Sequence, residues 1–319
     1  MLTASSKFSS IFAEDKKIII ITGPTACGKT SFSLDFARQL LAMGLNPAIY
    51  NIDCLQIYRE IPILTAQPTA TEQQTCPHHL YGFLSIKKKF STGQWLKLAF
   101  KKIKLIQKKN KIPILVGGTG LYFKALVDGL VKIPKISIKK RKAIIHLQNE
   151  LGQINFYKKL IKIDPKIKGL INSNDVQRSI RAYEVKWFTN KSLFDWYKDT
   201  KSLFSNDDFI KIYIDYPRNE LLNRIKIRTK NMLPKAINEV KKLEGLKVAK
   251  SNSSNKIIGI DEIKKLLEKK LDKDQAIELI VIKTRQYAKR QATWARSQMK
   301  NWNTLSSIET KLSLKKLFN

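Results

Sequence analysis

Lys17-Ile-Ile-Ile-Ile-Thr-Gly-Pro-Thr-Ala-Cys-Gly-Lys-Thr30 is the stretch that decides the fold. Its first part is β-branched and apolar, the pattern of a strand buried on both faces. Its second part, Gly23-Pro24-Thr25-Ala26-Cys27-Gly28-Lys29-Thr30, fits G-x-x-x-x-G-K-[ST], a phosphate-binding loop. From Ser31 to Met43 apolar residues recur at helical spacing: Phe32, Phe36, Ala37, Leu40 and Leu41. Strand, glycine loop and helix, in that order, are the context the motif requires. Backbone N–H groups turn inward, the helix N-terminus adds partial positive charge, Lys29 reaches outer phosphates and Thr30 holds Mg²⁺. The expectation is a site for a polyphosphate or pyrophosphate.

Working outward, Asn46–Ile52 reads as a second strand with Asp53 at its carboxyl end. Ile112–Val116 reads as a third strand, which runs into Gly117-Gly-Thr-Gly120 and a helix from Leu121. Asp208–Asp215 alternates enough for a later strand. Strands alternating with helices predict an α/β fold, a P-loop-containing parallel sheet flanked by helices, with ligands at the carboxyl ends of its strands. Residues 134–205 differ: Lys- and Asn-rich and helical, they are broken at Gly152, Asp164-Pro165 and Asn172–Asp175. They predict a helical insertion domain. The expected division is a polar, frayed extension over 1–14, a core over 15–133 and 206–319, and the insertion over 134–205. Beyond Arg218 the chain again reads as helical, apart from a polar loop at 250–255.

A chain of 319 residues that is 43% hydrophobic can bury a substantial core. Its 60 Lys+Arg against 26 Asp+Glu give a net charge of +34. That balance points to a polyanionic partner, nucleic acid first. Residue drift toward lysine explains much of it equally well, since only 11 of the 60 are arginine. The arginines carry more information, because lysine substitutes poorly for a planar bidentate fork. Most fall in three clusters, Arg178/Arg181, Arg218/Arg224/Arg228 and Arg285/Arg290/Arg296. Three widely spaced cysteines exclude a disulfide framework and a cysteine zinc site, which suits a reducing cytosol. No apolar run reaches membrane-spanning length, and Met1–Asp15 lacks a signal-peptide core, so a cytoplasmic protein without membrane association is expected.

Asp53 opens Asp53-Cys54-Leu55-Gln56. A carboxylate there suits Mg²⁺ coordination through water or proton abstraction from an acceptor; it equally suits the N-cap of a helix. The motifs Gly23–Thr30, Asp53–Gln56, Thr65-Ala-Gln-Pro68, Pro77-His-His-Leu80, Val116–Tyr122, Asn174-Asp-Val-Gln-Arg178 with Arg181-Ala-Tyr-Glu184, and Tyr287–Trp294 follow one another in this order. The series resembles the bacterial tRNA dimethylallyltransferases from about Lys17 to Arg296. The resemblance implies transfer of a five-carbon group from dimethylallyl diphosphate to N6 of adenosine 37 in the anticodon stem-loop of tRNA. It implies that the loop cradles the diphosphate with Mg²⁺, that Thr25 lies near the reacting centre, and that Asp53 is the general base. Arg224 and Arg228, four apart on one helical face, match an arginine pair of which Arg228 holds the diphosphate.

As tRNA contacts the resemblance implies Asp53, Cys54, Leu55, Gln56, Thr119 and Arg141. It adds Gln177, Arg178, Ser179, Ile180 and Arg181 on the insertion, Lys256 and Gly259, and Lys289, Arg290, Gln291, Trp294 and Arg296 near the C-terminus. It also implies a monomer. If Arg285–Arg296 is helical, Arg285, Lys289, Thr293 and Arg296 form a polar stripe, while Tyr287, Gln291 and Trp294 share a packing face. Cys27 and Cys54 stand where serine is usual, and Gly259 is followed by Ile260 where the family has an aromatic residue. His78 and His79 are expected to be structural. The competing readings are an adenylate isopentenyltransferase or small-molecule P-loop kinase, and an RNA-binding relative that has lost its chemistry.

Overall fold

The computed structural model describes residues 17–246, 248, 254 and 257–306; the expected extension over 1–14, most of the loop at 250–255, and Lys256 lie outside the described residues. The isoleucine run forms β1 (Ile18–Thr22), buried along its whole length. Each isoleucine so enclosed contributes roughly 2 kcal/mol of burial free energy. The phosphate-loop pattern then leads into α1 (Lys29–Ala42). Next come β2 (Asn46–Asn51), the short helices α2 (Pro62–Thr65) and α3 (Ala70–Gln73), and β3 (His78–His79). They are followed by α4 (Thr92–Gln107), β4 (Lys111–Gly117) and α5 (Gly120–Val127). A helical stretch follows with α6 (Ile138–Ile163), α7 (Val176–Thr189) and α8 (Leu193–Lys198). The chain then returns to the sheet with β5 (Phe209–Asp215), continues through α9 (Arg218–Glu244), α10 (Ile260–Leu267) and α11 (Lys273–Gln298), and closes with β6 (Asn303–Ser306).

The six strands order β3-β2-β4-β1-β5-β6, and every pairing is parallel. From β1 the chain crosses over β4 to reach β2, and later returns to the opposite side of β1 as β5. Connections therefore diverge around β1, which opens a crevice at its carboxyl end. Thr22 of β1 is in register with Gly117 of β4, and Asn51 of β2 with Val116, so the segments that follow these strands begin at the same edge. The two short outer strands were not expected. His78–His79 is too short for a periodicity, and Asn-Thr-Leu-Ser in β6 is largely polar. Both histidines act structurally: burial lowers their pKa values, and His78 Nδ1 lies 2.8 Å from the Cys76 carbonyl oxygen.

Two compact units result, Leu126–Leu203 and the remainder of the chain. The smaller unit begins eight residues before, and ends two residues before, the limits expected for the insertion. Its two ends meet, the Ser202 hydroxyl donating to the Leu126 carbonyl at 3.4 Å, so residues ahead of the first long helix belong to it. Its core gathers Phe156, Leu160, Ile167, Ala182, Tyr183 and Val185. α6 kinks at Gly152 and stops at Asp164, and Asp175 caps α7 by accepting from Arg178 N–H at 3.0 Å. The larger unit has one cluster against the sheet, including Ile19, Ile21, Phe36 and Ile214. A second joins α2 to α9, α10 and α11 through Leu64, Leu233, Ile260 and Ile280. Among the described residues no helix is long and apolar enough to cross a membrane.

Candidate active site

At the carboxyl edge of β1, β2 and β4 lies a cavity of about 310 Å³ lined by the phosphate loop, Asp53, Gln56, Arg224, Arg228, Tyr287 and Gln291. The loop wraps tightly. Gly28 takes φ 95°, a left-handed conformation that costs glycine nothing, and it precedes the first turn of α1. Lys29 Nζ donates back to the carbonyls of Gly23 at 3.0 Å and Pro24 at 2.8 Å, which pins the ammonium over the loop. Thr25, Ala26, Gly28, Lys29 and Thr30 line the cavity. Cys27 does not: its side chain is buried in the core cluster, and burial raises its thiol pKa despite the neighbouring Lys29 and Arg224. Replacing serine by cysteine there changes packing beneath the loop and leaves the cavity wall untouched.

α9 closes the cavity at the phosphate loop. Arg224 Nε donates to the Ala26 carbonyl at 2.9 Å, and its guanidinium lies 5.2 Å from the Tyr216 ring centroid. One turn on, Arg228 Nη1 donates to Thr25 Oγ1 at 3.4 Å. Burial lowers the Arg228 pKa and the Asp53 carboxylate opposes that shift. Arginine starts so high that the side chain stays cationic at neutral pH. α9 also reaches the opposite side of the cavity. The buried Glu239 carboxylate accepts from the N–H groups of Ile63 (2.6 Å) and Leu64 (2.9 Å), and burial raises its pKa. This caps α2, whose end presents the Thr65 and Ala66 carbonyls to Gln56 Nε2 at 3.0 and 2.8 Å. Gln56 is thus fixed beside Asp53 with the help of a carboxylate 175 residues beyond Leu64 along the chain, which no motif marks.

Asp53 follows β2 in a turn. Asn51 Oδ1 accepts from its backbone N–H at 2.8 Å, and Asp53 Oδ1 accepts from Leu55 N–H at 2.9 Å. No helix follows, so the capping alternative survives only as this two-residue turn. Gly117 lets the end of β4 approach here, since a Cβ at that position would stand 2.5 Å from the Ile52 carbonyl oxygen. Thr119 Oγ1 accepts from Cys54 N–H at 2.9 Å, tying the two loops together. Burial pushes the Cys54 thiol up to about 12, so it is a neutral wall residue. Thr30 and Asp53 line one cavity and offer hard oxygen donors, which suits Mg²⁺, an ion that draws most of its ligands from substrate phosphates and water. Among the described residues no group of three or more His, Cys, Asp or Glu side chains is arranged to hold a metal by itself.

A family model described as IPP transferase matches residues 56–298. The chain belongs to this family. It is 52% identical over 305 residues to a tRNA dimethylallyltransferase of Pelagibacter ubique (strain HTCC1062), covering 95% of this chain and 96% of that one. To the tRNA dimethylallyltransferase of Rickettsia massiliae (strain Mtu5) it is 40% identical over 295 residues, 92% of this chain and 80% of that one. The structure resembles a tRNA isopentenylpyrophosphate transferase from Bacillus halodurans, with TM-score 0.68, 29% identity and 95% coverage of both chains. It also resembles a eukaryotic dimethylallyltransferase captured acting on tRNA, with TM-score 0.80 and 25% identity, over 94% of this chain and 77% of that one.

Several residues that the family resemblance marks for tRNA have other work here. Gln291 braces the site: its Oε1 accepts from Thr25 N–H at 2.8 Å and its Nε2 donates to the Gly118 carbonyl at 2.9 Å. Trp294 packs on Gly120, and Tyr287 forms cavity wall, so this face of α11 packs as its spacing predicted. Lys289, Arg290 and Arg296 on the same helix are exposed. Gly259 takes φ 103° at the start of α10, and its N–H donates to Glu262; Ile260, in place of the family's aromatic residue, is core. In the smaller unit Gln177 and Arg178 are exposed. Ser179 is fully buried, its hydroxyl accepting from Gln153, and Ile180 is half-buried against the core of this unit. Leu55 likewise packs partly into the second cluster of the larger unit, with its backbone N–H held by Asp53.

Proposed function

We propose that the chain transfers a dimethylallyl group from dimethylallyl diphosphate to N6 of adenosine 37 of tRNAs that read codons beginning with U, releasing diphosphate. One observation carries this reading: a carboxylate, Asp53, lines the same cavity as a cationic phosphate loop closed by two arginines. The diphosphate lies against the N–H groups of the phosphate loop, with Lys29 and Arg228 at its oxygens. The N6 lone pair attacks the allylic carbon, the carbon–oxygen bond breaks, and the electron pair leaves with diphosphate. Negative charge grows on that leaving group, where fixed cations stabilise it most. Mg²⁺, when bound, would be held by Thr30 and Asp53 and would supply Lewis-acid stabilisation of the diphosphate. Adenine N6 is a poor nucleophile because its lone pair is delocalised into the ring. Asp53 takes the N6 proton as the new bond forms, and its Leu55 contact keeps the carboxylate oriented. The apolar faces of Ala26, Ala66 and Tyr287 suit the five-carbon tail.

The acceptor reading rests on the exposed Lys289, Arg290 and Arg296 of α11 and the exposed Arg178 of α7, which suit RNA phosphates better than a free nucleotide. We read the protein as a cytoplasmic monomer, in keeping with its partner and its family. Labelled dimethylallyl diphosphate offered with unmodified tRNA, with AMP, or with neither tests the whole. Label on tRNA alone supports the proposal. Label on AMP supports an adenylate isopentenyltransferase, and tRNA binding without transfer supports a relative that has lost its chemistry.

A further inference from the structure

Glu184 is fully buried on α7, yet an exposed arginine and a half-exposed one reach it. Arg141 comes from the first turn of α6, its Nε 3.1 Å from Glu184 Oε1 and its side chain 61% exposed. Arg181 comes from the preceding turn of α7, its Nη1 3.2 Å from Oε2 and its side chain 40% exposed. A buried carboxylate needs a counter-charge, and one cation sealed in with it would serve. Here it draws on two, both with their outer faces in solvent. Arg181 donates to Oε2 through a single Nη, while Arg141 Nε stands at ion-pair distance from Oε1 without a directed hydrogen bond, so each guanidinium keeps amines that the carboxylate does not use. Two cations on one anion leave a net positive charge, held in one place at the surface. Tyr197 reports the same surface: burial raises its pKa while Arg181 and Arg178 pull it down, so both arginines lie near its half-exposed ring.

We propose that Glu184 is a positioning residue for RNA binding: it holds Arg141 and Arg181 side by side as one pre-ordered fork for a tRNA phosphate. The proposal rests on the reading that tRNA is the acceptor. Ordering long side chains is a large part of the cost of a polar interface, and a buried anchor meets that cost during folding. The anchor also makes the sign of its own removal informative. Glu184→Gln deletes a negative charge beside two cations. Were charge alone at issue, tRNA would bind more tightly to the variant. A positioning role predicts the reverse.

Steady-state kinetics of the full chain test this. In Glu184→Gln the KM for tRNA is expected to rise about 3–10-fold, the scale of lost preorganisation. Its kcat and its KM for dimethylallyl diphosphate should stay within about twofold of wild type. Added to Arg141→Ala with Arg181→Ala, Glu184→Gln should raise the tRNA KM no further, whereas a purely structural role would add its own penalty. A tRNA KM that is unchanged or lower in Glu184→Gln overturns the proposal. Should that variant not fold, Arg141→Lys with Arg181→Lys carries the test. It keeps both charges and loses the forks, and must raise the tRNA KM several-fold; an unchanged value overturns the proposal. If wild-type protein transfers nothing to tRNA, the functional reading itself fails, and that result is distinct from all of these.

Discussion

Two arginine pairs in this chain are held in opposite ways. Arg224 and Arg228 rest on neutral acceptors, the Ala26 carbonyl and the Thr25 hydroxyl. Arg141 and Arg181 rest on the buried carboxylate of Glu184. A guanidinium hydrogen-bonded to neutral partners gives none of its donors to an anion; the Asp53 carboxylate acts on Arg228 only through space, and the burial of Arg228 strengthens whatever it meets. A guanidinium on a carboxylate has spent part of its charge and retains mainly its geometry. The first arrangement suits charge that appears during a reaction, and the second suits placing a phosphate that is charged from the start. Sequence spacing shows only the first pair, four apart on one helix; Arg141 and Arg181 stand 40 residues apart on two helices, and the fold brings them together.

Variants at the cavity should break one side of this contrast and spare the other. The largest effect is expected from Asp53→Asn, which keeps the Leu55 contact through Oδ1 and removes only basicity. Its kcat should fall roughly 10²- to 10⁴-fold, the usual scale for one general base, while tRNA affinity moves less than about tenfold. A variant retaining more than about a third of wild-type kcat would end the base assignment. Lys29→Ala comes next, with kcat/KM for dimethylallyl diphosphate down about 10²-fold through both parameters, because the ammonium meets charge that grows as diphosphate leaves. Kinetics with both substrates read this directly, and an unchanged kcat would place Lys29 on the ground state only. Gln291→Ala should be milder. Losing the brace between Thr25 and Gly118 loosens the loop, and the KM for the diphosphate should rise about tenfold with the KM for tRNA nearly constant. If the tRNA KM moves instead, Gln291 contacts RNA as the family resemblance implies.

The fold was legible where one residue pattern has one physical reading. Ile18–Ile21 admits only a buried strand, and Gly28 and Lys29 follow it at the spacing a phosphate loop demands. The helical insertion showed in its breaks, because Gly152 and Pro165 interrupt helices for backbone reasons that need no tertiary context. The outer strands escaped because two histidines, and a polar Asn-Thr-Leu-Ser, carry no alternation. In the site, residues read from local motifs, Thr25, Lys29, Asp53 and Arg228, came together as expected. What was not legible acts at a distance in sequence. Glu239, marked by no motif, caps a helix 175 residues away, and Gln291, expected at the tRNA, braces a loop 266 residues away. A lone Glu or Gln on an amphipathic helix carries no mark of its partner. Glu184 stood inside a quoted motif, yet nothing in the sequence separates a buried anchor from a solvated acid.

The contrast between the arginine pairs is tested most directly by kinetics of Arg228→Ala beside those of Arg141→Ala with Arg181→Ala, each measured against both substrates. Arg228→Ala should lower kcat about a hundredfold and leave the KM for tRNA within about threefold, since its guanidinium meets the leaving group. The paired variant should raise the KM for tRNA about tenfold or more and leave kcat at saturating tRNA nearly unchanged. A loss of kcat from the paired variant comparable to that from Arg228→Ala, or a tRNA KM moved equally by both, would contradict the division of labour between them.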